Sequence, residues 1–301
     1  MPEQPKPTLR DWLTGARVRT LPAALAPVLA GTGAAAAVGA AHAGRALLAA
    51  GVALALQIGV NLANDYSDGV RGTDDARVGP RRLTATGAVA AATVKRAAFA
   101  FFGIAAVLGL SLTAWSGQWW LLGVGALCVV AAWYYTGGRN PYGYRGLGEV
   151  AVFVFFGLVA TVGTTYTQAL TVTMTAVLAG SGIGLLACAL LMANNIRDIP
   201  TDMDAGKRTL AVRLGDRRAR WGYATMLLGG VVLSAAATAG LPPVWWIAWA
   251  VPAGAVLVLA RRVLAGVRGP GLILVLRDTG WLELATGVVL ALLLGFGRSG
   301  T

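Results

Sequence analysis

Histidine is nearly absent from this 301-residue chain and cysteine is scarce: His42 stands alone, and Cys128 and Cys188 are the two cysteines. A lone histidine, placed at the outer end of the first apolar run, excludes histidine triads, His-based zinc sites and haem ligation. Carboxylates are then the metal ligands on offer. The two cysteines fall inside apolar runs, where they read as small core residues and say nothing about redox compartment. Charge is also sparse, with 13% of residues charged against 56% hydrophobic, which excludes an ordinary soluble domain. The class is all-α, a polytopic membrane protein. Acids are fewer than bases, 13 against 25, for a net charge of +12. The bases are spread over turns instead of one patch, so topology and anionic lipid head groups account for them, and no nucleic-acid partner is expected.

Charges mark the turns, because a charged side chain in mid-bilayer costs a few kcal/mol or more. Thr20 to Gly44 and Ala46 to Asn64 are each one crossing long at roughly 20 residues per crossing. Ala97 to Gly138, Val150 to Ile196 and Trp221 to Ala260 are each two crossings long. Their turn signals are Ser116-Gly117-Gln118, the polar stretch Thr165 to Thr175, and Gly240-Leu241-Pro242-Pro243. Thr279 to Gly297 supplies a last helix with Glu283 in its first turns. The total is nine crossings in a single domain, 1–301, with residues 1–19 as a cytoplasmic lead holding an interfacial helix around Asp11-Trp12-Leu13.

Placing the N-terminus in the cytoplasm puts 23 of 25 basic residues on that side, leaving out Arg45 and Arg298. All 13 acids also fall in, or at the edge of, cytoplasmic segments. The chemistry is therefore expected on the cytoplasmic face of the cell membrane. Trp119-Trp120 and Trp245-Trp246 fall at outer interfaces and read as belt residues. Gly180-x-x-x-Gly184 suits close helix packing in lipid.

Two clusters carry the expected chemistry. Asn61, Asp65 and Asp68, with Asn64, fall at the end of the second helix, and helical spacing assigns Asn61, Asp65 and Asp68 to one face. Asn194, Asn195, Asp198, Asp202 and Asp204 repeat the pattern at the end of the sixth. An even number of crossings separates them, so both share one membrane face. Paired carboxylates and amides make a hard oxygen site suited to Mg²⁺, with Asp65, Asp68, Asp198 and Asp202 as ligands. Arg71, Arg77, Arg81 and Arg82 follow the first cluster, and Lys207, Arg208 and Arg213 follow the second. Acids for Mg²⁺ beside cations for anionic oxygens describe a diphosphate site, with Lys207 the cation singled out. A site at the membrane face fits a polyprenyl diphosphate, and Tyr134 and Tyr135, with Tyr142 and Tyr144 beyond, are candidates to bound an allylic cation by their ring faces. Each base taken singly also reads as a topology charge. The segment Thr136 to Gly148 lacks the Lys-Ser/Thr ending of a nucleotide loop and reads as a compact turn.

Asn64-Asp65-x-x-Asp68 and Asp198-x-x-x-Asp202, on the second and sixth of nine helices, resemble the UbiA-type intramembrane prenyltransferase superfamily. Within it, Arg17-Val18-Arg19-Thr20-Leu21-Pro22, Arg82-Leu83-Thr84, Tyr135 to Glu149 and Asn194-Asn195-x-Arg197-Asp198 through Lys207 are similar to the 1,4-dihydroxy-2-naphthoate polyprenyltransferases of menaquinone synthesis. The resemblance implies a nine-helix ring with a cytoplasmic cap, aspartates holding Mg²⁺-diphosphate, and a demethylmenaquinone product. It adds Arg19, Arg82 and the amides Asn64 and Asn194 as substrate contacts. The acceptor would be alkylated at the carbon bearing its carboxylate, with loss of CO₂, and Arg139 or Arg145 would orient that carboxylate. Gly72 stands where many members have a third acid, and Met203-Asp204 where a basic-acidic pair is expected, which leaves Asp74, Asp75 and Asp204 open as ligands. The alternatives are 4-hydroxybenzoate or a chlorophyllide-like acceptor in the same superfamily, and a secondary transporter. Transporter sites lie near the midplane on broken helices, whereas these acids lie at an interface.

Overall fold

The computed structural model of the protein describes residues 7–73 and 82–297. Asp74, Asp75, Arg77 and Arg81 lie outside the described residues. Among the described residues no strand occurs, and the chain is a succession of helices.

The lead holds α1, Leu9–Gly15, opened by a capping box in which the Thr8 hydroxyl receives Asp11 N–H and the Asp11 carboxylate receives Thr8 N–H. Arg17 then adopts left-handed φ 51°, and a 3₁₀ turn, Val18–Thr20, redirects the chain into α2, Leu21–Ala36. The next helices are α3, Ala43–Val70, α4, Ala91–Ser116, and α5, Leu121–Tyr134. A 3₁₀ turn, Tyr142–Arg145, precedes one continuous rod made of α6, Gly148–Val152, a π-helical stretch, Phe153–Val159, and α7, Ala160–Ala169. Helix α8, Met174–Asp204, opens on Thr173, whose hydroxyl receives Ala176 N–H. Then come α9, Leu210–Ala236, α10, Ala250–Leu264, with a 3₁₀ lead Pro243–Trp249, and α11, Pro270–Phe296.

Among the described residues six helical rods are long and apolar enough to cross a membrane: Ala43–Val70, Ala91–Ser116, Gly148–Ala169, Met174–Asp204, Pro243–Leu264 and Pro270–Phe296. Helix α5 is apolar but shorter, α2 has 16 residues, and the first turns of α9 carry Arg213, Asp216, Arg217, Arg218 and Arg220.

Small residues bring the helices together. A Cβ built on Gly157 of the π stretch would lie 2.6 Å from Gly184 Cα, so the Gly180-x-x-x-Gly184 face of α8 meets the rod backbone to backbone. Helix α8 forms the centre, packing against α9, α2, α11 and the π stretch, and its face from Ala176 to Ile196 supplies much of the largest buried cluster. The Trp pairs and many large side chains of α4, α5, α9 and α10 remain exposed, as a lipid-facing surface requires.

The last helix differs from expectation. It begins at Pro270, nine residues before Thr279, because the Arg277-Asp278 pair is carried on its exposed flank instead of ending it. Glu283 therefore sits at the middle of α11, fully buried, and the expectation that acids stay at helix ends fails there.

Candidate active site

One cavity runs into the bundle from the end where α3 and α8 terminate, enclosing about 290 Å³. Its wall follows helical spacing on α3, with Gln57, Asn61, Asn64 and Asp68, and on α8, with Ala187, Leu191, Asn194, Asp198 and Asp202. Arg82, Tyr144 and Lys207 close the polar end. Further in, Leu56, Val60, Ala132, Phe155 and Phe156 make the wall apolar.

Asp68 is the hub of the polar end. Its Oδ1 receives the Tyr144 hydroxyl and lies 3.4 Å from Lys207 Nζ, and its Oδ2 lies 3.8 Å from Arg82. Lys207 Nζ also sits 4.7 Å from the Tyr144 ring centroid, with the Arg71 guanidinium at 5.5 Å. Burial first, then the Asp68 charge, holds the Tyr144 phenol well above its usual range, so it stays a donor. Burial alone pushes the neighbouring Tyr142 up to about 12.

Across the cavity Asp198 receives a two-pronged contact from Arg197, Nε to Oδ1 at 2.7 Å and a second nitrogen to Oδ2 at 2.8 Å, and Arg197 also reaches Asn194 Oδ1 at 2.8 Å. Pro200 lies between Asp198 and Asp202 and withholds the N–H that would bond the Ile196 carbonyl. The loop behind α8 is pinned by Lys207 N–H to Asp202 O at 2.8 Å and Arg208 N–H to Tyr144 O at 2.8 Å. Asn64 Oδ1 receives the Thr136 hydroxyl at 2.7 Å, and Arg71 donates to the Thr136 and Gly138 carbonyls. The segment from Thr136 to Gly148 thus folds over the cavity as an ordered turn.

Several expected site residues stand elsewhere. Asp65 is fully buried and does not line the cavity; its oxygens receive Leu83 N–H and Thr84 N–H, each at 2.9 Å. Three residues leave Asp65 about 60° round the helix from Asp68, and at that edge of the shared face the Leu83 and Thr84 N–H groups claim its carboxylate. Tyr134 is 51% exposed and points away, while Tyr135, the next residue round, lines the cavity. Arg19 is exposed, and Arg17, two residues earlier, takes the wall position. Arg139 and Arg145 are both exposed and outside the cavity, and Asp204 is exposed as well. Asn64, Asn194, Arg82, Lys207, Tyr135, Asp68, Asp198 and Asp202 all line it. Sequence reasoning passed over Gln57 and Glu283; for Gln57 the signal was the 57-61-64-68 spacing.

Among the described residues no three carboxylate, histidine or cysteine side chains converge into a metal cage. The donors nevertheless fit Mg²⁺, which is usually held by one or two carboxylates plus substrate phosphates and water. Asp68, Asp198 and Asp202, with Asn64 and Asn194, offer oxygen from two sides of one cavity.

Residues 24–270 match the UbiA prenyltransferase family. The chain belongs to that family. This UbiA-family chain is 51% identical over 288 residues to the 1,4-dihydroxy-2-naphthoate octaprenyltransferase of Mycobacterium tuberculosis, covering 96% of this chain and 98% of that one. It is 41% identical over 238 residues to the enzyme of the same name from Escherichia coli, with 77% of each chain covered. Its fold is also that of a UbiA homolog from Archaeoglobus fulgidus bound to DMAPP and Mg²⁺, with TM-score 0.66, 14% identity, and coverage of 93% of this chain and 99% of that one. An apo UbiA homolog from Aeropyrum pernix gives TM-score 0.69 at 18% identity, covering 89% and 94%.

Proposed function

We infer that this UbiA-family protein transfers a polyprenyl group from a polyprenyl diphosphate to 1,4-dihydroxy-2-naphthoate, releasing diphosphate and CO₂ and giving a demethylmenaquinone. The observation that carries the acceptor is likeness along nearly the whole chain to relatives named for that reaction. The cavity supplies the rest, being rich in carboxylates and cations at one end and apolar beyond.

Asp68, Asp198 and Asp202 would hold Mg²⁺, and Asn64 and Asn194 would add neutral oxygens. Bound there, the metal supplies Lewis acidity to the leaving diphosphate. Lys207 and Arg82 neutralise diphosphate oxygens, and Tyr144 fixes the orientation of the Asp68 carboxylate. Tyr135 and Phe155 offer ring faces to positive charge that develops on the allylic carbon. The prenyl chain lies along Leu56, Val60, Ala132 and Phe156, which also exclude water from the cation. Arg17, at the wall where Arg139 and Arg145 are not, orients the acceptor carboxylate. An electron-rich dihydroxynaphthalene held within about 3 to 3.5 Å of the allylic carbon needs little further activation.

The whole chain, 1–301, acts as one nine-crossing domain in the cell membrane, with α2, α5 and α9 completing the six longer rods into a ring. Its N-terminus and cavity mouth face the cytoplasm, and the segments 82–90, 136–148 and 205–209 cap it.

The test is an assay of the purified protein with a polyprenyl diphosphate, Mg²⁺ and a panel of aromatic acceptors. Diphosphate and CO₂ are expected together when the naphthoate is supplied. Equal or better prenylation of 4-hydroxybenzoate with its carboxylate retained would overturn the acceptor and leave the metal-site reading standing.

A further inference from the structure

The cavity has a second polar tier that the diphosphate end does not use. Glu283 is fully buried at the middle of α11, and neither of its carboxylate oxygens has a hydrogen-bond partner among the described residues. It nevertheless forms part of the cavity wall, beside Leu276 of its own helix and Ala187 and Leu190 of α8. Gln57 of α3 also lines the cavity; its Nε2 donates to Thr20 Oγ1 at 3.2 Å, and its Oε1 is buried with no partner. The 3₁₀ turn that ends in Thr20 packs against α11, which ties Gln57 and Glu283 to one side of the cavity.

Their depth is read from the helices. A Cβ built on Gly280 would lie 3.4 Å from Leu190 Cδ1, so Glu283 stands near the level of Ala187 on antiparallel α8. Ala187 precedes Asp198 by eleven residues, and Gln57 precedes Asp68 by eleven on α3, a rise of about 16 Å in each case. Side chains lean toward the N-terminus of their helix, which brings Glu283 toward the aspartates and the aspartates toward Glu283. A diphosphate and an aromatic ring together span what is left.

A carboxyl without a partner inside a protein carries a large desolvation cost, and ionisable groups in membrane-spanning helices persist where function uses them. Whether ionised or protonated, Glu283 keeps an oxygen lone pair for a donor, and Gln57 Oε1 is an acceptor only. A prenyl chain has no donor and an ionised diphosphate has none, whereas a hydroxylated aromatic ring does. A carboxyl oxygen receives an O–H in either protonation state, and an amide oxygen does the same.

We propose that Glu283, with Gln57 Oε1, is the hydroxyl subsite for the aromatic acceptor: it receives a ring O–H and turns the ring so that its nucleophilic carbon faces the prenyl carbon bonded to the diphosphate. This rests on the prenyl-transfer reading above. A site built to pair a buried hydroxyl rejects the analogue that lacks it, so the subsite also selects dihydroxylated over monohydroxylated rings.

The experiment uses the full chain in lipid nanodiscs and measures KM separately for the acceptor and for the prenyl diphosphate, in the wild type and in Glu283→Ala, Glu283→Gln and Gln57→Leu. Glu283→Ala is expected to raise the acceptor KM about tenfold or more while the donor KM stays within about twofold. Glu283→Gln keeps an acceptor oxygen and should recover most of that loss. The wild type should prefer 1,4-dihydroxy-2-naphthoate to 1-hydroxy-2-naphthoate, and Glu283→Ala should narrow the preference. An unchanged acceptor KM, an equal rise in donor KM, or unchanged discrimination overturns the proposal. Should Glu283→Ala not fold, Gln57→Leu carries the test: it removes the other acceptor oxygen and should raise the acceptor KM and narrow the preference, and an unchanged acceptor KM with unchanged preference overturns the proposal equally. If the wild type ignores the naphthoate and prenylates another phenol, the function reading falls, and the same KM split on that phenol decides the role of Glu283.

Discussion

Asp68 and Asp65 lie three residues apart and do different work. Asp68 faces the cavity among Lys207, Arg82 and Tyr144, and Asp202 faces the same space from α8. Asp68→Ala or Asp202→Ala should lower turnover by about 100-fold or more while the protein still inserts and purifies as a single species, since each removes charge at the leaving group. Excess EDTA should abolish turnover and Mg²⁺ restore it, and full activity in EDTA would rule out the metal site. Asp65→Ala should act through the fold, because it strands two backbone N–H groups at a cost of roughly 1–3 kcal/mol each. Its expected signature is a lowered unfolding temperature together with weaker donor binding. Arg139→Ala and Arg145→Ala, being outside the cavity, should leave the acceptor KM within about twofold, and Arg17→Ala should raise it.

At the scale of elements, the tightest joint is between the π stretch and α8. Gly157→Ala would set a Cβ 2.6 Å from Gly184 Cα and 2.7 Å from Gly180 O, backbone atoms that cannot swing aside. The rod and α8 must then move apart, which should destabilise the protein by roughly 1–3 kcal/mol. Because Phe155 and Phe156 of the same stretch line the cavity and Asn194, Asp198 and Asp202 ride on α8, activity should fall with stability. Thermal unfolding in detergent beside turnover at the same temperature measures both, and an unchanged unfolding midpoint would show that the helices separate at no cost. Gly163 offers a control, since a Cβ there meets nothing within 4 Å.

The orientation of the whole molecule is open to labelling. The distribution of basic residues predicts a cavity mouth on the cytoplasmic side. Cysteines introduced at Thr73 and Ala205, near the ends of α3 and α8, should react with an impermeant maleimide only from the cytoplasmic side. One at Gly240, in the exposed turn between α9 and the Pro243–Trp249 lead, should react only from the other. Reversed labelling would mean that the crossings are miscounted by one.

Much of this was determined by the sequence by itself. Scarce charge and continuous apolar runs of about 20 residues dictate helices that cross a bilayer, since a helix satisfies its backbone within one such run whereas a barrel strand needs only about 10 residues and alternates. The repeated amide-acid pattern at Asn64 to Asp68 and Asn194 to Asp202 marked the two helix ends that meet at the cavity, because helical spacing puts such residues within one or two turns. Tertiary structure alone decided which side of each helix faces in. Asp65 was drawn away by the N–H groups of Leu83 and Thr84, and Tyr134 by the rotation that turned Tyr135 inward. Arg139 and Arg145 were left outside a turn whose tyrosines point in. Adjacent helical residues differ by about 100° in direction, and the choice among those directions belongs to the neighbouring helices. Glu283 is the clearest case: the charged pair before it reads as a loop in sequence, yet α11 begins earlier and carries that pair on an exposed flank, so the acid is taken into the core.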